Sequence, residues 1–257
     1  MNKEKLHDGH DSFSKAEIEA YRDAYKNMGV VWNAILQPQK TILDVCSGRA
    51  PLYALIPEDR RNGAEILSID SHGHLMKPSQ DAEIVKRMIS LDARDMNMPE
   101  FSAMNVDTAL SLNGLPYLYM MNNLRRLDPQ WSEEVAQYIE QEDDSNLNEW
   151  YREEAPKDEN EIANETYQMM RGVLNTLADG GEFRFFPWDR PGVMPADSRL
   201  VKWYTTTQTM NRLFDVVLLR LQDEFSFKDE IDQTTIHDVG FVVRSARILK
   251  DVRRKKS

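Results

Sequence analysis

Apolar side chains at Ile18, Tyr21, Tyr25, Met28, Val31 and Trp32 return at the spacing of one helix face. They predict an amphipathic helix over Lys15 to Leu36, opened by the capping-box sequence Ser14-Lys-Ala-Glu17 and broken before Pro38. The pattern then changes to short, continuous apolar runs. Ile42, Leu43 and Val45 form the first, within KTILDVCSGRA (Lys40 to Ala50), and AEILSIDSH (Ala64 to His72) holds the second. Runs of this length, bounded by small and polar residues, read as strands buried on both faces, as in parallel sheets. Further strands are expected ending at Asp92 and Ala93, over Thr108 to Leu112, and over Phe183 to Phe186. Two last strands are expected at Val216 to Leu221 and Gly240 to Ile248, joined by a polar loop containing His237. Helical stretches fall between them: one starting over Ala50 to Ile56, one over Tyr167 to Leu177 ended by Asp179-Gly-Gly181, and one over Arg199 to Leu213. Strands alternating with helices predict an α/β domain.

A chain of 257 residues suits one such domain with an insertion. The division expected is a flexible N-terminus at 1–13, the domain at 14–250 and a basic tail at 251–257. Within the domain, residues 128–165 stand out. They are dense in Asp and Glu, hold only Arg152 and Lys157 as bases, and carry Trp131, Tyr138, Trp150 and Tyr151. The segment reads as a solvated helical insertion, a lid over a substrate, or the docking surface for a protein partner. A net charge of −11 argues against a broad nucleic-acid footprint. No apolar run reaches membrane-spanning length and the polar N-terminus lacks a signal-peptide core, so no membrane association and a cytoplasmic location are expected. With Cys46 as the single cysteine, no intramolecular disulfide forms. His72 and His74 lack further ligands at metal-binding spacing.

The chemistry concentrates where the first strand runs into Cys46, Ser47 and Gly48, and where the second ends on Asp70. Small residues after a strand let backbone approach a ligand, and a carboxylate ending the next strand can accept ribose hydroxyls: the skeleton of a nucleotide-binding βαβ unit. ILDVCSGRA resembles the first motif of class I S-adenosylmethionine-dependent methyltransferases, an Asp-x-Gly-x-Gly-x-Gly run. Asp44 takes the acid position, and Cys46, Gly48 and Ala50 take the three glycine positions, two of them replaced. Asp70 fits the ribose-binding acid, with Ser71 and His72 following it. MISLDARDMNMP (Met88 to Pro99) resembles the third motif, where Asp92 and Ala93 would flank the adenine. VDTALSLNGLPYL (Val106 to Leu118) resembles the fourth, with Leu112 and Asn113 lining the site. MMRGVLNTLADGGEFRFFPW (Met169 to Trp188) resembles the helix, Gly-Gly turn and fifth strand that follow, so the motifs occur in family order along nearly the whole chain.

The resemblance implies a Rossmann-like, doubly wound, seven-stranded and mostly parallel sheet, with helices on both faces and GFVVRSARI as an antiparallel last strand. It implies S-adenosylmethionine as cofactor and methyl transfer to a small-molecule acceptor. Asn113-Gly-Leu-Pro-Tyr117 departs from the Asn-Pro-Pro-Tyr of enzymes that methylate nucleic-acid amines and is closer to the pattern of small-molecule enzymes. No catalytic residue is assigned; His237, His72 or an acid of the insertion could supply a base. Cys46 is read as a packing residue and not a nucleophile, because no neighbouring base is evident. Tyr21 and Tyr25 either pack in the core or cover the cofactor, and Arg49 pairs with the cofactor carboxylate or with Glu58 or Asp59. The alternatives are a protein or RNA methyltransferase and a non-catalytic, methyltransferase-like scaffold binding a protein through the acidic insertion. A nicotinamide dehydrogenase is disfavoured by the lack of Gly-x-Gly-x-x-Gly.

Overall fold

The first apolar run does form a strand buried on both faces: β1 (Thr41–Val45) is fully covered from Ile42 to Val45. In the computed structural model, which describes residues 15–47, 52, 55–56, 63–70, 88–97, 101, 103–112, 159–189, 213–236 and 241–251, β1 sits inside a seven-stranded sheet. The other strands are β2 (Glu65–Asp70), β3 (Met88–Ser90), β4 (Val106–Leu112), β5 (Leu177–Asp189), β6 (Phe227–Ile236) and β7 (Phe241–Lys250). Their order is β3-β2-β1-β4-β5-β7-β6. The pairings from β3 through β5 are parallel, whereas β7 runs antiparallel to both β5 and β6. This is the doubly wound, mostly parallel sheet expected, with the reversed strand at the segment named for it.

Alternation along the strands divides the core into two layers. Ile42, Ile66, Leu110 and Leu112 face a layer that includes Tyr25, Met28, Ile35 and Leu36, from α1 (Lys15–Asn27) and the short α2 (Trp32–Ile35) with their flanks. Leu43, Val45, Ile69, Ala109, Phe183, Phe185 and Ile248 face the opposite layer. That layer is built by α3 (Glu159–Thr176) and by α4, which includes residues 213–222.

Several boundaries differ from the sequence expectation, each for an identifiable reason. The helix expected over residues 15–36 is two helices, because Gly29 takes φ +75 and the amides of Gly29 and Val30 fold back onto Lys26 and Tyr25 carbonyls. Val216 to Leu221 is helical, not a strand: Phe214, Val217, Leu218 and Leu221 are buried at helical spacing, while Val216 and Leu219 are exposed. The penultimate strand is instead the polar segment FKDEIDQTTI, an edge strand whose charges discourage pairing with another chain. β3 stops at Ser90, before Asp92 and Ala93, and β4 starts earlier than expected, at Val106. Residues 159–165, read with the acidic insertion, form the start of α3; residues 128–158 and most of 199–213 lie outside the described residues.

Asp179-Gly-Gly181 does not cap α3. The helix ends at Thr176 and β5 begins at once, with residues 178–181 looped out of register between the Val106–Leu177 and Thr108–Glu182 pairs. Buried Lys250 closes the helix end instead, donating from Nζ to the carbonyls of Leu174 (2.9 Å) and Leu177 (2.6 Å). A cation there suits the negative pole of the helix.

The loop after β3 is pinned to α3 by one small residue. A Cβ on Gly172 would lie 2.8 Å from Met96 Cβ and 2.9 Å from the Ala93 carbonyl oxygen. Neither can swing away, so Gly172→Ala is expected to cost about 1–3 kcal/mol as overpacking. The check is a lower urea midpoint with an unchanged m-value.

Candidate cofactor site

β1 lies between β2 and β4, where the winding of the sheet reverses, so the carboxyl ends of these strands open onto the crevice in which doubly wound folds bind ligands. Three carboxylates gather there. Asp44 is the penultimate residue of β1, Asp70 the last of β2, and Asp92 follows β3. Asp44 and Asp70 repel one another, and all three raise the pKa of the Cys46 thiol, which lies among them.

Asp44 is the most constrained of the three, at 1% exposure. Burial is the main force raising its pKa, from 3.8 to about 7; the Tyr25 hydroxyl and the Leu52 backbone amide oppose that rise, and Asp70 adds to it. Tyr25, itself 0% exposed, donates a long hydrogen bond of 3.4 Å to Asp44 Oδ1. Oδ2 of Asp44 and the hydroxyl of Ser47, which is 4% exposed, have no hydrogen-bond partner among the described residues. Buried polar atoms left this way are costly, and two at one strand end make it a candidate place for a ligand's donors. The set fits the proposed cofactor: a buried carboxylate suits a cationic ligand end, and Asp70 suits a hydroxyl-bearing sugar.

The turn after β1 tests one of the two lost glycines of the motif, Cys46; Ala50 lies outside the described residues. Cys46 has φ +56, a left-handed conformation that glycine adopts at no steric cost and that other residues take at about 1–2 kcal/mol. The backbone therefore makes the glycine-type turn with a small side chain in place, and the Ser47 amide ties it to the Ile69 carbonyl (3.1 Å). Burial first, then the fields of Asp70, Asp92 and Asp44, push the Cys46 thiol well above its ordinary pKa. The sequence reading of Cys46 as a packing residue agrees with this: a thiolate is disfavoured here. Alkylation by iodoacetamide at pH 8 is expected to be at least about tenfold slower in the folded protein than in urea. Equal rates would contradict the site's electrostatics.

Asp92 caps the turn that follows it. Its Oδ1 accepts from the Arg94 amide (2.8 Å), and both oxygens accept from the Arg94 guanidinium, which also reaches Glu165 on α3 (3.1 Å). Ala93 and Leu112 bury their side chains in the two core layers. Gly48, Arg49, Ser71, His72, Asn113 and His237 lie outside the described residues. Ser47 and the Tyr25–Asp44 contact were missed by sequence reasoning. Ser47 stood inside the first motif but at a variable position, and nothing in a linear pattern pairs a helix tyrosine with a strand carboxylate.

No family model and no curated protein matches the sequence. Among solved structures, an O-methyltransferase family protein from Burkholderia thailandensis is 9% identical with a TM-score of 0.45, over 92% of this chain and 57% of its own. An N-methyltransferase from Bradyrhizobium japonicum, solved with S-adenosyl-l-homocysteine, is 13% identical with a TM-score of 0.45, over 95% of this chain and 90% of its own. A phosphoethanolamine N-methyltransferase from Haemonchus contortus, solved with S-adenosyl-L-methionine, is 10% identical with a TM-score of 0.46, over 93% and 57%. The chain thus spans little more than half the length of the first and third. The fold assignment rests on the strand order and register of this chain. No described helix is long and apolar enough to cross a membrane.

Proposed function

We propose that the protein is an S-adenosylmethionine-dependent methyltransferase acting on a small molecule. The observation that carries this reading is the buried Asp44, whose Oδ2, like the Ser47 hydroxyl, has no partner among the described residues, at the switch point of the doubly wound sheet. Asp44 and Ser47 would hold the methionine end of the cofactor, Asp70 the ribose hydroxyls, and the segment around Asp92 and Ala93 the adenine edge. Gly48, Ser71, His72, Leu112 and Asn113 complete the proposed lining. When bound, the cofactor supplies an activated methyl group on a sulfonium.

The chain's own contribution is alignment and exclusion of water. Transfer of a methyl group needs an acceptor in line with the breaking bond, and holding two reactants so aligned removes much of the barrier. Tyr25 and the first core layer keep water from the Asp44 carboxyl on one side. Residues 128–158 of the acidic segment are proposed as the cover on the acceptor side. The net charge of −11 favours a small acceptor over RNA. A protein acceptor, and a partner-binding scaffold without activity, are the alternatives.

Incubation with methyl-labelled S-adenosylmethionine and fractionated small metabolites is expected to label one fraction and release S-adenosylhomocysteine. Label entering only protein or RNA would move the assignment to those acceptors.

A further inference from the structure

Arg184 is on β5, two strands from β1, yet the register ties it to Asp44. Asp44 pairs with Leu110, Leu110 with Arg184, Arg184 with Arg247, and Arg247 with Glu230. Register partners project to one face, so this row crosses the sheet beneath a single layer. The end of α1 lies over that row. Tyr25 reaches Asp44, and one helical turn later the Met28 carbonyl accepts from Arg184 Nη1 at 3.1 Å. Asp44 and Arg184 are about 10 Å apart across two strand spacings. The last turn of α1 is therefore latched to the sheet at both ends.

The Arg184 end is built for close approach. Met28 follows the last residue of α1, where carbonyls lack intrahelical partners and the helix pole is negative. A Cβ at Gly29 would stand 2.5 Å from Arg184 Nη1, and the φ of +75 there also favours glycine. Arg184 is itself oriented: Glu182 accepts from its Nε (3.0 Å) and Nη2 (3.2 Å), and also from Arg247 Nε (2.7 Å), which Glu230 anchors in turn (3.0 Å). Burial works against charge on Glu182, but Arg184 and Arg247 outweigh it and hold the carboxyl below its ordinary range.

We infer that Arg184 is a positioning residue for the cofactor site: its grip on the Met28 carbonyl fixes the last turn of α1 so that the Tyr25 hydroxyl stays on Asp44. The consequence for affinity rests on the methyltransferase reading, whereas the latch itself is a property of the free protein. Tyr25, Asp70 and the Leu52 amide are the other groups acting on Asp44, and Tyr21 acts on Tyr25.

The test is a double-mutant cycle with Arg184→Gln and Tyr25→Phe, with Arg184→Lys as the conservative variant. Two quantities are read in the full chain. One is S-adenosylmethionine affinity by calorimetry. The other is the titration of the Asp44 carboxyl carbon by NMR without cofactor, its signal identified by its loss in Asp44→Asn. Each single change is expected to weaken binding about tenfold and to move the Asp44 midpoint upward, because the Tyr25 hydrogen bond favours the ionised form. Arg184→Gln is expected to add less than about twofold on top of Tyr25→Phe, the non-additivity of residues acting through one contact. Arg184→Lys should restore part of both quantities. A full tenfold loss in the Tyr25→Phe background, or an unmoved Asp44 midpoint in folded Arg184→Gln, would overturn the inference. If the wild type binds no cofactor, the methyltransferase reading falls alone and the Asp44 titration still decides the latch. If Arg184→Gln does not fold, Arg184→Met, which keeps the length but removes the donors, carries the same comparison.

Discussion

Asp70→Ala is expected to weaken S-adenosylmethionine binding by about 10- to 100-fold, the loss of a hydrogen bond from ribose to a charged acceptor. The fold should barely notice. Asp70 ends its strand partly exposed, its backbone carbonyl pairs with the Leu91 amide whatever the side chain, and the repulsion it exerts on Asp44 disappears. Calorimetric affinity and a urea midpoint, measured together, separate the two effects. Unchanged affinity would put the ribose contact elsewhere, and a large fall in the midpoint would make Asp70 structural.

The second large effect concerns Asp44 and pH. Its carboxyl titrates near 3.8 when unfolded and about 7 in the folded chain, chiefly because it is buried. The folded state therefore holds this proton more tightly, and stability from this group falls as pH rises from about 4 to about 7, then levels. At about 1.4 kcal/mol per pH unit, the full cost above pH 7 is on the order of 4 kcal/mol as an upper bound. Asp44→Asn removes the charge but keeps the shape. It is expected to raise stability over the wild type at pH 8, with the gain shrinking towards pH 4. A gain that is the same at both pH values would refute the buried charge as its source. The same charge is useful in the proposed site: a cationic ligand end would stabilise it. Wild-type binding should tighten as pH rises through about 7, and Asp44→Asn should lose both the affinity and that pH dependence. The site would then trade stability for binding, as active sites commonly do.

How much of this was legible in the sequence depends on which physical signal each part carries. The buried strands β1, β2 and β4 announce themselves as apolar runs, since a strand covered on both faces admits little else, whereas the reversed β7 is legible through the motif resemblance. The carboxylates ending β1 and β2 were found because the chain turns from apolar to small and acidic residues there. β6 was not found: an edge strand needs few apolar residues, and FKDEIDQTTI reads as a loop. α4 reads as a strand in the sequence because its Val and Leu run hides a helical face. The Lys250 cap on α3, the Gly172 contact and the Arg184 latch depend on side chains 73 to 156 positions apart, or on close approach between elements, which no local pattern encodes.

The most direct measurement is calorimetric titration of the purified chain with S-adenosylmethionine and, separately, with S-adenosylhomocysteine. The account predicts micromolar binding of both at pH 8, and at pH 6, where Asp44 is mostly protonated in the free chain, protons released as it ionises on binding S-adenosylmethionine. Absence of binding of either ligand to a folded sample would contradict it. The left-handed Cys46 turn would then be the relic of a site no longer used, and the scaffold reading would take its place.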